Sequence, residues 1–263
     1  MKKTLGFTGT GNMAGALIEA AAKSGEFSFL LSNRHPQKAE RYAELTGGRV
    51  TDNKTVAALA DMVFLGVKPD GIAGLMEEIA PVLAERTERA VLVSMLGGTK
   101  IEEIQRLAGA ECPVIRIMPN TPVAIGEGII LYDCSSQVSG EDEALFLSSM
   151  KHAGLVTKMP ERLIPAGTAL TGCGPAFADL FIEALADGAV ACGIPRGMAT
   201  ELAAKMTAGS ASLILASGKN PEVLKNEVCS PGGSTIQGVR LLEERAFRAA
   251  VMDAVITAYE KNL

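Results

Sequence analysis

The feature that most restricts what this chain can become lies near its start. Gly9-Thr10-Gly11-Asn12-Met13-Ala14 follows a short apolar run at residues 5–8 and leads into a helical pattern at 12–23. The spacing fits G-x-G-x-x-G/A. One glycine allows a tight turn, the next lets backbone approach a pyrophosphate, and a small third residue lets the helix pack on the strand. The free N–H groups of the helix start then face the phosphates. Gly-rich turns are common, so the spacing alone is a weak signal. Its position inside a strand–helix–strand unit turns it into the expectation of a dinucleotide site at Gly9, Thr10, Gly11, Asn12, Met13 and Ala14.

The pattern continues through the first half. Strand-like runs at 27–31, 61–67, 90–94 and 113–117 alternate with helical patterns at 36–45, 71–83 and 99–107, and further strands at 128–132 and 155–158 flank a helix near 141–152. Strands that are apolar throughout and spaced by helices indicate a parallel sheet covered on both faces. After about residue 160 the strand signals stop. Helices are expected at 175–192, from Pro195 to Ser217, at 221–228, and from Ser234 onward with a break near Glu244. The division is placed near 158, giving an α/β domain at 1–158 and an all-helical domain at 159–263. The second set is Ala-rich and apolar around much of its circumference. Such helices must be buried, and about 100 residues cannot bury them alone, so a homodimer is expected.

Composition narrows the function classes. A net charge of −5, with 8 Phe, 3 Tyr and no Trp, argues against nucleic-acid binding, which needs basic patches and stacking platforms. The two histidines, His35 and His152, are too few and too far apart for a His-based metal cage. Five cysteines without a CxxC pair read as thiols in a reducing cytoplasm. The apolar start meets Gly9 and Gly11 before a leader core can form, so no targeting segment is expected. Asp179, Glu183 and Asp187 interrupt the stretch 169–194, so no membrane span is expected. Four-residue spacing puts these three acids on one helical face, where a polar stripe is the plainer reading than a metal site.

The end of the second strand bears on the cofactor. An NAD site usually carries Asp or Glu there to bind the ribose 2′-hydroxyl. Here the residues are Ser32-Asn33-Arg34. Guanidinium binds phosphate oxygens in bidentate fashion, so Asn33 and Arg34 favour NADP, with NADH still possible. His35 reads as a turn residue before Pro36, and Asn53 as a helix N-cap before Lys54-Thr55-Val56.

Five motifs in order now stand together: the Gly-rich turn, Val67-Lys68-Pro69, Met118-Pro119-Asn120-Thr121-Pro122, Thr171-Gly172-Cys173-Gly174-Pro175-Ala176-Phe177 and Ser230-Pro231-Gly232-Gly233-Ser234-Thr235. The set resembles the Δ1-pyrroline-5-carboxylate reductase family over residues 4 to about 245. The resemblance implies an N-terminal Rossmann-type dinucleotide-binding domain and a C-terminal all-α dimerisation domain. It implies NAD(P)H-dependent reduction of the cyclic imine to L-proline, the last step of proline biosynthesis, by a homodimer that in some members forms a ring of dimers. It also implies that the cofactor of one subunit meets the helical domain of its partner.

The same resemblance implies cofactor contacts at Asn53, Val67, Lys68, Pro69 and Met95. It places a catalytic threonine at Thr235, near the substrate nitrogen, and an acid at the substrate pocket at Glu161. The chain departs from the family in having Cys173 where serine is frequent and Glu227 where an amide is common. On its residues alone, the segment Ser230, Gly232, Gly233, Ser234 and Thr235 is either an ordinary Gly-rich N-cap or an anion site for a carboxylate. Two rivals remain. One is a β-hydroxyacid dehydrogenase-like oxidoreductase, disfavoured because residues 175–192 contain no lysine; the other is a non-catalytic NADP-binding redox sensor.

Overall fold

A computed structural model describes residues 2–109 and 111–262. The chain forms two compact units, one running to Gly172 and a second at Cys173–Lys261.

In the first unit, β1 (Thr4–Thr8), α1 (Asn12–Ala22), β2 (Ser28–Ser32), α2 (Pro36–Thr46), β3 (Arg49–Val50), α3 (Asn53–Leu59), β4 (Met62–Leu65), α4 (Ile72–Ala84), β5 (Val91–Ser94), α5 (Ile101–Ala108) and β6 (Val114–Pro119) alternate. Then come β7 (Gly128–Cys134), α6 (Gly140–Ser149), β8 (Gly154–Lys158) and α7 (Ile164–Thr171). The strand order is β3-β2-β1-β4-β5-β6-β7-β8. The order reverses between β1 and β4, which opens a crevice at the carboxyl ends of the strands.

The alternation of each strand fills two cores. Phe7 and Phe64 stack at 4.4 Å between ring centres on the face covered by α1 and α6, with Leu17, Ile18 and Phe146. Val63, Leu65 and Leu92 point to the other face, with Val56 of α3, Ile79 of α4 and Ile104 of α5. Gly6 is required there, because a Cβ would lie 2.5 Å from Val56.

Three expectations need correction. The sheet is not wholly parallel: β7 pairs antiparallel with β6. Their connection is a single 3₁₀ turn, Thr121–Ile125, and a parallel return needs a much longer crossover. The N-cap of α3 is Asp52, whose carboxylate accepts from Thr55 N–H at 2.7 Å, so Asn53 is the first helical residue. The Thr55 N–H and hydroxyl hold the Asp52 carboxyl below its usual range. Finally, Glu161–Ala191 contains a helical stretch long and apolar enough, by length and composition alone, to cross a membrane. Asp179 and Glu183 are too few to cancel the apolar residues on either side of them.

The second unit holds α8 (Gly174–Ala191), α9 (Arg196–Ser217), α10 (Pro221–Val228), α11 (Ser234–Glu244) and α12 (Phe247–Lys261). Its buried hydrophobics among the described residues are Ala186, Ala199 and Ala203, where α8 meets α9. Leu180, Leu215 and Met252 are 66%, 85% and 62% exposed in the single chain. The break between α11 and α12 falls at Ala246, with φ +56°. Asp187 is paired with Arg196, and no group of three or more His, Cys, Asp or Glu is placed to hold a metal among the described residues.

Candidate functional site

In the first unit the β1–α1 turn sits at the point where strand order reverses. Gly9 has φ +109°, and a Cβ there would lie 2.5 Å from the Gly66 carbonyl oxygen; a Cβ on Gly66 would lie 2.3 Å from the Gly9 oxygen. Both glycines are therefore needed for the two loops to touch. Gly9 N–H donates to the Ser32 carbonyl at 2.7 Å, tying the turn to β2. Gly11 caps α1 with no side-chain bond to the first-turn N–H groups, and the space beside it is open. Ala14, 2% exposed, meets the space beside Gly66. The Thr10 hydroxyl is buried without a partner.

A cleft of about 1150 Å³ opens beside this turn. The structure brings Gly9, Asn33, Arg34, Asn53, Val67 and Lys68 together on its wall. Thr10, Gly11, Asn12, Met13 and Ala14 form the adjoining turn and helix start, and Pro69 opens the 3₁₀ turn after Lys68. Met95, half-buried at the end of β5, is outside the lining residues.

Asn33 acts on the protein itself. Its Oδ1 accepts from Thr10 N–H at 3.1 Å and its Nδ2 donates to the His35 carbonyl at 2.9 Å, bridging the Gly-rich turn to the start of α2. Arg34 is exposed and has no ion-pair or hydrogen-bond partner among the described residues; neither has the Lys38 ammonium, which lines the same cleft. Two free cations at the carboxyl end of β2 make a corner suited to a phosphate. The touching glycines, the open first turn of α1 and this corner fit an NADP-type dinucleotide.

Three acids in the cleft escaped the sequence reading: Asp52, Asp70 and Glu78. Glu78 comes from α4, far along the chain from β2, so no local motif signals it. Its Oε2 accepts from Asn53 Nδ2 at 2.9 Å, while Asn53 Oδ1 accepts from the Ser32 hydroxyl at 2.7 Å.

Glu161 lies outside the cleft lining. Its Oε1 accepts from Arg116 Nη1 at 2.9 Å and from Ile101 N–H, the first residue of α5, at 2.7 Å. Its own N–H donates to Asp133. The Arg116 side chain is only 5% exposed, and its Nε has no partner. Elsewhere, burial pushes the Cys112 and Cys134 thiols up to about 11. Both stay protonated at neutral pH and neither lines the cleft, so neither is a nucleophile candidate.

In the second unit, Ser230, Pro231, Gly232 and Gly233 form a turn closed by Gly233 N–H donating to the Ser230 carbonyl at 3.1 Å. Proline followed by a glycine with φ +70° is the type II arrangement. A Cβ on Gly233 would lie 2.4 Å from Ser230 Oγ. The turn delivers Ser234 and Thr235 to the first turn of α11, exposed, with no side-chain cap on the helix N–H groups. Hydroxyls and free N–H groups at a helix start form an anion-binding surface.

Comparison with known proteins accounts for both regions. Residues 161–263 match the profile of the family described as pyrroline-5-carboxylate reductase dimerisation, and residues 4–98 match one described as NADP oxidoreductase coenzyme F420-dependent. The chain is 38% identical to pyrroline-5-carboxylate reductase of Glycine max, over 98% of this chain and 94% of that protein. The chain belongs to the pyrroline-5-carboxylate reductase family. The Escherichia coli member is 35% identical, over 100% of this chain and 98% of that protein. The solved structure of Plasmodium falciparum pyrroline carboxylate reductase with NADP bound is similar at a TM-score of 0.87 and 30% identity, covering 100% of this chain and 98% of that one. Relatives of the family thus span both the cleft and the turn before α11.

Proposed function

We propose that this chain reduces Δ1-pyrroline-5-carboxylate to L-proline with NADPH, the last step of proline biosynthesis. The observation that carries this reading is the full-length kinship, 98% of the chain at 38% identity, which joins the cleft and the α11 turn in one enzyme family. The cofactor supplies the hydride. The chain's part is binding, orientation and electrostatics. The Gly9–Gly66 contact and the open first turn of α1 receive the pyrophosphate, with Val67, Lys68, Pro69 and Met95 continuing along the carboxyl ends of β4 and β5. Arg34 and Lys38 receive the 2′-phosphate. Ser230, Gly232, Gly233, Ser234 and Thr235 hold the substrate carboxylate and ring, and the Thr235 hydroxyl bonds the ring nitrogen. We place the division of the family domains at 158/159, next to the start of the dimerisation match at residue 161, while the compact units part later, between Gly172 and Cys173.

The active form is a homodimer. The exposed Leu180, Leu215 and Met252 and the dimerisation match support it. The apolar stretch within Glu161–Ala191 then serves the subunit interface instead of a bilayer. Five cysteines, all free, support a reducing compartment such as the cytoplasm.

The deciding assay follows NADPH oxidation by the purified full-length protein with pyrroline-5-carboxylate, against NADH and against 3-hydroxyacids with NADP⁺. Imine-dependent oxidation is expected; its absence overturns the reading. Arg34→Ala is expected to raise KM for NADPH about tenfold or more and to leave KM for NADH within about twofold. The lost charge-assisted bonds are worth roughly 1.5–3 kcal/mol, and NADH has no group to make them. Equal changes for both cofactors would remove Arg34 from the phosphate corner.

A further inference from the structure

The cleft that holds Arg34 and Lys38 is also lined by a carboxylate from α4, Glu78. Ser32 ends β2, Asn53 begins α3 and Glu78 belongs to α4, and the three are joined in one chain of hydrogen bonds. Glu78 accepts only, so the Asn53 amide nitrogen must face it, and the Asn53 oxygen is left to accept from Ser32. All three line the same cleft as Arg34 and Lys38. Ser32 is buried and Asn53 and Glu78 are half-buried, so the charge is screened less than an open surface acid. No lysine or arginine pairs with Glu78 among the described residues.

We propose that Glu78 sets the 2′ specificity of this cleft, fixing the Asn53 amide and opposing the pull of Arg34 and Lys38 on a 2′-phosphate. A carboxylate in this region suits a ribose hydroxyl and repels a phosphate. Of the three acids on the cleft, Asp52 is taken up by Thr55 at the start of α3, and the preference for NADP over NAD is set by Glu78 working against Arg34 and Lys38. The dinucleotide acid absent from the end of β2 is thus replaced from another element. This inference rests on the dinucleotide reading of the cleft.

Glu78→Gln isolates the charge. The amide is isosteric and keeps an oxygen for Asn53 Nδ2, so the fold and the Asn53 orientation are retained. The test is calorimetric titration of the full-length protein with NADP⁺ and NAD⁺, which differ only in the 2′-phosphate. The variant is expected to raise the ratio of NADP⁺ to NAD⁺ affinity about tenfold, which is about 1.4 kcal/mol. That gain is expected to shrink as salt rises from about 0.05 to about 0.5 M, because screening removes a charge effect and leaves a packing effect in place. An unchanged ratio, a shift toward NAD⁺ or a salt-independent gain overturns the proposal. Wild-type protein that binds neither nucleotide overturns the dinucleotide reading itself. Normal wild-type binding with an unshifted variant ratio removes the role of Glu78 alone.

Discussion

Thr235→Ala is expected to lower kcat for imine reduction about a hundredfold while NADPH affinity stays within about twofold. The Thr235 hydroxyl is exposed at the first turn of α11 and makes no hydrogen bond within the protein among the described residues. Its removal therefore opens no cavity and strands no buried partner, so stability is expected to hold within about 0.5 kcal/mol. On the proposed reading, what is lost is the hydroxyl that bonds the ring nitrogen. An imine nitrogen is itself basic, so the hydroxyl is asked to orient the ring and pass a proton through water more than to act as a strong acid. Positioned proton transfer is worth roughly 10²–10⁴-fold, and orientation alone gives the lower end. Thr235→Ser keeps the hydroxyl and is expected to recover most of the turnover. The measurement is kcat and KM for imine alongside direct titration of NADPH. Unchanged steady-state kinetics in the alanine variant would exclude Thr235 from the chemistry.

The legible parts of this fold are those where local chemistry and tertiary packing agree. The Gly9–Ala14 turn was readable because its spacing is written in adjacent residues, whereas its contact with Gly66 is a tertiary fact. The helices opening at Pro36 and Pro221 were readable from their prolines, and α9 from Gly218, which takes φ +64° at its end. The antiparallel turn of β7 was not readable. It depends on Thr121–Ile125 curling into one short 3₁₀ turn, and the apolar run that opens β7 reads like the parallel strands before it. Helix α7 was missed because Pro165, Gly167 and two threonines in Ile164–Thr171 give poor helix propensity. It is held by packing on β7, where Gly167 approaches Leu131 so closely that a Cβ would lie 2.4 Å from it.

The site divides in the same way. Asn33 and Arg34 lie where the β2 end predicts them, though Asn33 spends its polar groups on the Gly-rich turn and the start of α2. Glu78 reaches the cleft only because α4 packs across α3, a tertiary fact with no short-range signature. Asp52 rather than Asn53 caps α3, a choice between two adjacent residues equally suited to the position.

Glu161→Ala is expected to cost about 3 kcal/mol of stability and lower Tm by roughly 6–12 °C. Arg116 is buried in β6, with its side chain only 5% exposed. Glu161 is its ion-pair partner among the described residues, and the same oxygen receives the first N–H of α5. Removing one member of a buried pair typically costs about 3–5 kcal/mol through the charge left behind. The Glu161 side chain is 27% exposed, so water enters and the lower end applies. Glu161→Gln keeps an oxygen for Ile101 N–H but loses the charge, and is expected to fall between wild type and Ala. Combining Arg116→Met with Glu161→Leu removes both charges together and is expected to cost far less than the sum of the single changes. Thermal and urea unfolding of Glu161→Ala, Glu161→Gln, the double variant and its two single components, with KM for imine, separates two roles for this acid. A large drop in Tm with the double variant recovered assigns Glu161 to holding Arg116 and the start of α5. An unchanged Tm with a raised KM would return it to the substrate pocket.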